Sequence, residues 1–230
     1  MNKTITLFGL ISILSFNNLN AQDCSTNLDR FRENVKAKNY EEATSQLVEL
    51  RKNCAKSSYE IYAFGERIYK AKLRTTTNKK EVVKELIQLH NDRLENFPHK
   101  TKKGDIYGDI GNLMVDYKVG TAKEQFDIFD KAFKEDEENF NNPKSIYLYF
   151  ELYYNFYKKG TYSLTLKELI DKYRVLDNKY KELNGKLKSQ SESLAIKKNK
   201  KKLIDLNLKA ITLFSGKMNS LAENYLQVKN

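Results

Sequence analysis

The chain has 230 residues, a formal net charge of +11 from 41 Lys and Arg against 30 Asp and Glu, and a 40% hydrophobic content, enough for one or two domains with a core. Two Pro and nine Gly are too few for a β-sandwich or a loop-rich fold, and 12% aromatic residues are too many for a disordered chain. Two Cys and two His exclude a disulfide-dense scaffold, a four-cysteine zinc site and a three-histidine metal centre.

The first residues have the layout of a secretory signal peptide. A basic start (Met1 to Lys3) leads into an apolar run from Thr4 to Phe16, then polar Asn17 to Asn20 and a small residue, Ala21, suited to cleavage. The run is shorter than the roughly 20 residues a spanning helix needs. Residues 1–21 are therefore expected to be removed, leaving a chain that starts at Gln22. Asp23 stands before Cys24, which does not fit a lipid-anchored cysteine directly after a cut. No later segment is apolar enough to span a membrane, so the expected protein is exported, periplasmic or at the cell surface, and not transmembrane.

Export to an oxidising space favours a disulfide between Cys24 and Cys54. Helical periodicity predicts helices over 25–38 and 40–54. Antiparallel packing would bring the start of the first beside the end of the second, and the two cysteines with them.

Turn-prone residues then recur at Asn39, Asn78, Gly120 and Gly160, at spacings of 39, 42 and 40, each between two stretches of helical apolar period. The first pair holds Leu28, Phe31 and Val35, then Ala43, Leu47 and Leu50. The second holds Tyr62, Gly65 and Ile68, then Val83, Leu86 and Leu89. The third holds Ile106, Ile110 and Leu113, then Phe126, Phe129 and Ala132. The fourth starts at Pro143, which suits a first helical turn, and runs to Tyr157. A single helix pair cannot bury its own apolar face, so about four stacked pairs over residues 22–162 are expected to form an all-α helical-repeat solenoid.

Lys38-Asn39-Tyr40-Glu41-Glu42-Ala43, followed by Leu47 and Leu50, resembles a tetratricopeptide repeat (TPR), whose turn, aromatic and small Ala let the second helix pack closely on the first. Tyr62 to Ile68, with Gly65 at the small position, looks like the first helix of a following repeat. The spacing of about 40 exceeds the family's roughly 34 and is shared by armadillo- and HEAT-type pairs, so these architectures stay open. The chain as a whole resembles exported TPR-like proteins of Gram-negative bacteria. That resemblance implies protein–protein binding rather than chemistry.

Residues 163–230 read differently. Leu166, Leu169, Tyr173, Leu176, Tyr180, Leu183 and Leu187 keep a heptad seam. Ile204, Leu208, Ile211, Met218, Ala222 and Tyr225 form a second stripe, widened by Leu203, Leu206, Leu213, Leu221 and Val228. The expectation is a long antiparallel, coiled-coil-like hairpin, 163–194 and 200–228, paired within the chain and packed on the repeat end. Asn184-Gly185 could end the first helix, but the heptad phase continues through it and favours one helix. The wide stripe predicts that the second helix is covered on two sides.

No catalytic motif appears and no metal or cofactor is expected, so the chain is read as a non-enzyme. Gly104, Gly108 and Gly111 lack dinucleotide spacing and fit close helix packing or a helix start. His90, in a helix beside apolar positions, and His99, after Pro98, each read as a packed or surface residue rather than a ligand. The run Lys134 to Glu138 lacks the oxygen ligands of a calcium loop and reads as a solvated helix end.

Two features stand out as candidate contact surfaces. Seven aromatics crowd residues 147–157, and Tyr147, Tyr149, Tyr153, Tyr154 and Tyr157 are read either as a central core helix or as a partner-gripping groove. Residues 179–209 hold ten Lys against three carboxylates, a net charge of +7. There Lys197, Lys198, Lys200, Lys201 and Lys202 are read either as a solvated hairpin tip or as contacts for an anionic surface. Export and the excess of Lys over Arg disfavour nucleic acid. The expected function is a non-catalytic scaffold binding protein partners at the cell envelope; the alternative is a module for anionic lipid or acidic polysaccharide through the basic hairpin.

Overall fold

The structure, a computed structural model, describes residues 16–192 and 198–226, with side chains from Asp23 onward except Asn224. All regular structure among them is helical. In chain order the helices are α1 (Phe16–Ala37), α2 (Tyr40–Asn53), α3 (Glu60–Thr75), α4 (Lys79–Asn96), α5 (Lys103–Asp116), α6 (Ala122–Glu135), α7 (Pro143–Lys158), α8 (Leu166–Glu192) and α9 (Lys198–Leu226). Asn39, Asn78, Gly120 and Gly160 all fall between helices, as their spacing predicts. α1 begins earlier than the expected residue 25, and its start precedes Gln22. Most of the predicted leader, residues 1–15, lies outside the described residues.

The helices fall into two units divided between Thr76 and Thr77, the boundary lying between α3 and α4. In the first unit, α1, α2 and α3 pack on one another. Phe31, Val35, Ala43, Leu47, Ile61 and Ile68 are fully buried between them. Each large side chain among these contributes about 1.5–3 kcal/mol by leaving water. Ala43 is small enough to let α2 approach α1, the role its place after Tyr40 suggests. The turn after α1 uses Lys38 in a left-handed conformation, φ 62°. Its N–H donates to the Val35 carbonyl and the Asn39 N–H donates back to the Asn34 carbonyl at 2.9 Å, closing the helix end. Arg32 bridges Asp29 on its own helix and Glu60 at the start of α3. The Cys24 and Cys54 sulfurs stand at disulfide distance, with Cα atoms 5.6 Å apart.

In the second unit α7 is central, touching α5, α6, α8 and α9. Its N-terminus is set by Asn142, whose side chain accepts the Lys144 N–H at 3.0 Å, and by Pro143 in the first turn. Thr121 with Glu124 and Thr165 with Glu168 close the starts of α6 and α8 reciprocally. Gly104 and Gly111 serve close packing: a Cβ on Gly104 would lie 2.3 Å from the Asp136 carbonyl oxygen, and one on Gly111 2.5 Å from the Phe129 ring. The acidic run at the end of α6 does more than face solvent. Asp136 accepts the Gly104 N–H at 3.0 Å and an Asn139 amide N–H at 2.8 Å, which places a carboxylate at the positive end of α5. Burial opposes its charge, yet these hydrogen bonds hold the carboxyl below its ordinary value. His90 is buried and His99 exposed.

α8 runs unbroken through Gly185 and pairs with α9, which contains Gly216. Leu169, Leu176, Tyr180 and Leu183 of the seam are buried against this unit's core. The expectation that α9 is covered on two sides needs correction. Ile204, Ile211, Met218 and Ala222 are buried, but Leu203, Leu206 and Leu213 are 59%, 54% and 54% exposed. At 100° per residue these leucines lie well round the helix from the buried stripe. Ring contacts from α7 meet α9 at Phe214 and Tyr225. Leu221 is half-buried, and Val228 lies outside the described residues.

Candidate functional site

The aromatic helix and the basic hairpin are built from adjacent parts of the second unit, and their side chains are in different situations. Tyr149 is fully buried. Its hydroxyl donates to Asp130 at 2.5 Å and accepts from the Lys172 ammonium at 2.8 Å, while Lys134 holds Asp130 at 2.7 Å. The rings of Phe126, Phe133 and Phe140 surround it at 5.3–6.2 Å between centroids. Burial and the Asp130 charge push the Tyr149 phenol far above its ordinary value. Burial would raise the Asp130 carboxyl, yet hydrogen bonds from Lys134 and Tyr149 outweigh it and hold the group low. Desolvation lowers the Lys172 ammonium, against the pull of Asp130. The chain Lys172–Tyr149–Asp130 leaves each of these polar groups paired at the edge of the core.

The other four candidate tyrosines are half-buried and also occupied. Tyr147 donates to Glu151 at 2.5 Å and packs 5.8 Å from Phe214. Tyr153 stacks near Phe126 under the Lys172 ammonium, and Tyr154 and Tyr157 both meet Tyr225 of α9. The aromatic run thus surrounds α7 with intramolecular partners on α6, α8 and α9.

The hairpin differs. Lys198, Lys200, Lys201 and Lys202 are exposed, as are Lys186, Lys188 and Lys209; Lys197 lies outside the described residues. Two lysines counted in the basic segment are accommodated internally: Lys179 is buried with its amine 3.9 Å from Glu182, and Lys181 pairs with Asp177. Among the described residues, ion pairs run along the chain as far as Glu182 and then stop. The acids beyond it, Glu192, Asp205 and Glu223, take up none of the exposed lysines.

Between the first turn of α7 and the hairpin lies a cleft of about 440 Å³, lined among others by Asp105, Asn142, Lys144, Lys186, Leu187 and Phe214. Two of its polar groups are engaged, Asn142 in capping α7 and Lys144 in a 2.5 Å pair with Asp116. No group of three or more His, Cys, Asp or Glu able to hold a metal is present among the described residues. Nor is any described helix long and apolar enough to cross a membrane.

Sequence reasoning missed Leu203, Leu206 and Leu213 as surface residues. The signal was available: an apolar sector too wide for one covering neighbour. Comparison with family models, curated proteins and solved structures finds no match to this chain.

Proposed function

We propose that the protein is an exported, non-catalytic helical-repeat protein of the TPR-like kind that acts at the cell envelope by binding an anionic partner through its α8–α9 hairpin. The helix–turn–helix spacing near 40 residues and the Lys38 to Ala43 motif support the repeat reading. The leader-like N-terminus and the Cys24–Cys54 pair support export.

One observation carries the functional reading: seven exposed lysines, Lys186, Lys188, Lys198, Lys200, Lys201, Lys202 and Lys209, crowd one hairpin with only Glu192 and Asp205 among them, and none is in an ion pair among the described residues. Unpaired like charges repel one another, and an anionic partner removes that repulsion. Each lysine brought to an anionic surface is worth about 1 kcal/mol. The tyrosines that could grip a protein partner are engaged inside the unit, so the hairpin is the stronger candidate.

The test holds net charge constant while moving its place. One variant changes Lys198, Lys200, Lys201 and Lys202 to Glu; a second changes Lys52, Lys56, Lys79 and Lys80 to Glu. Retention on an immobilised acidic polysaccharide should fall steeply with salt for the natural chain. It should be lost for the first variant and largely kept for the second. Equal losses would leave only bulk charge, and the reading fails.

A further inference from the structure

We infer that the outer face of α9, with Leu203, Leu206 and Leu213 flanked by Lys202 and Lys209, is an interfacial docking face for an anionic lipid bilayer. This deepens the proposed function and rests on its reading of the hairpin as the contact surface.

The geometry is that of a second amphipathic face on a helix whose first is already used. Ile204, Ile211 and Met218 point into the unit and are buried. Leu206 and Leu213 are seven apart and lie within about 20° of each other around the axis; Leu203 is about 60° from Leu206. Lys202 and Lys209, also seven apart, form a parallel row about 40° from that leucine row. All five side chains are exposed. The nearest acid on this stretch, Asp205, lies on the other side of the lysine row. The face thus combines apolar and cationic side chains and carries no carboxylate.

That combination selects among occupants. An acidic polysaccharide would answer the lysines and leave three leucines in water. A second copy of this chain packed antiparallel on the leucines would cover them but set lysine row near lysine row without an acid between them. An anionic bilayer answers both, because leucines enter the acyl boundary while lysines stay with the headgroup phosphates. No described helix is long and apolar enough to cross the membrane.

The chain contains no Trp, so Leu206→Trp installs a single reporter without disturbing the core. This full-length variant is mixed with phosphatidylglycerol vesicles, with phosphatidylcholine vesicles, and with soluble alginate. A blue shift of emission with phosphatidylglycerol alone is expected. In vesicle co-sedimentation, Leu203→Ser, Leu206→Ser and Leu213→Ser together should weaken binding to phosphatidylglycerol by well over about tenfold, with helical circular dichroism unchanged. Lys202→Glu with Lys209→Glu should weaken it about fivefold per site or more. An apolar run such as residues 4–16 binds phosphatidylcholine as well, so hairpin binding is read as the excess on phosphatidylglycerol over phosphatidylcholine.

Binding that depends on the lysines, with no blue shift and no effect of the serine changes, would overturn this inference while leaving the anionic-partner reading intact. Absence of binding to both vesicles and alginate would overturn both. Concentration-dependent dimerisation abolished by the serine changes would assign the face to a second copy and overturn the bilayer.

Discussion

The Tyr180 hydroxyl donates to the Pro143 carbonyl at 2.6 Å, tying the middle of α8 to the first turn of α7. Both Tyr180 and Tyr149 are buried, and burial pushes their phenols well above the ordinary value. In the unfolded chain they ionise near pH 10. A group that keeps its proton longer in the fold stabilises it fully below pH 10, and this contribution is lost as pH rises beyond that toward the folded value. The melting midpoint should therefore fall between pH 10 and 12. Tyr180→Phe should cost about 1 kcal/mol at pH 7, the usual net value of such a bond, and should make the alkaline decline shallower. Thermal melts at pH 7, 10 and 11 check it; parallel alkaline slopes for the two proteins would contradict the assignment.

Glycines on the two sides of the second unit should respond with opposite signs. Nothing lies within 4 Å of a Cβ built on Gly185 or Gly216, and both sit inside long helices. Gly185→Ala and Gly216→Ala should each stabilise by about 0.5–1 kcal/mol through helix propensity. Gly111→Ala meets the Phe129 ring and should cost about 1–3 kcal/mol. Gly104→Ala meets backbone atoms of Asp136 and Phe140, which cannot swing aside, and should cost more than Gly111→Ala. Denaturant unfolding of the four variants gives the order directly.

The helices were legible because their signals are local: apolar period, turn residues at Asn39, Asn78, Gly120 and Gly160, and Pro143 at a helix start. Continuity through Gly185 followed from the heptad phase. What periodicity does not supply is the covering partner. The stripe of α9 was wide enough for two neighbours, yet the sector holding Leu203, Leu206 and Leu213 faces water. The aromatic run was ambiguous for the same reason. Only the positions of α6, α8 and α9 show that Tyr149 is enclosed while Tyr147 is partly open. Asp136 looked like one acid among several, because its partner, the Gly104 N–H, is 32 residues away in sequence.

Lys38 is a non-glycine residue in the left-handed region at the end of α1. For a side chain bearing Cβ that conformation costs about 1–2 kcal/mol, and glycine escapes the cost. Lys38→Gly should raise the stability of the first unit by about 1 kcal/mol, the gain being trimmed by the greater freedom of glycine in the unfolded chain. Lys38→Ala removes the same charge but keeps Cβ and should bring no such gain. Denaturant melts of the two variants separate backbone relief from charge.

The Cys24–Cys54 pair closes a loop spanning α1 and α2, with 30 residues of sequence separation. In the chain-entropy treatment a loop of this size stabilises by about 3–4 kcal/mol, acting through the unfolded state. Its effect should be local, because α1, α2 and α3 have a core of their own. Cys24→Ser with Cys54→Ser, or reduction of the natural chain, should strip hydrogen-exchange protection from residues 28–73. The helices around α7 should keep theirs. A uniform loss over both units, or none, would show that the link does not act on the first unit alone.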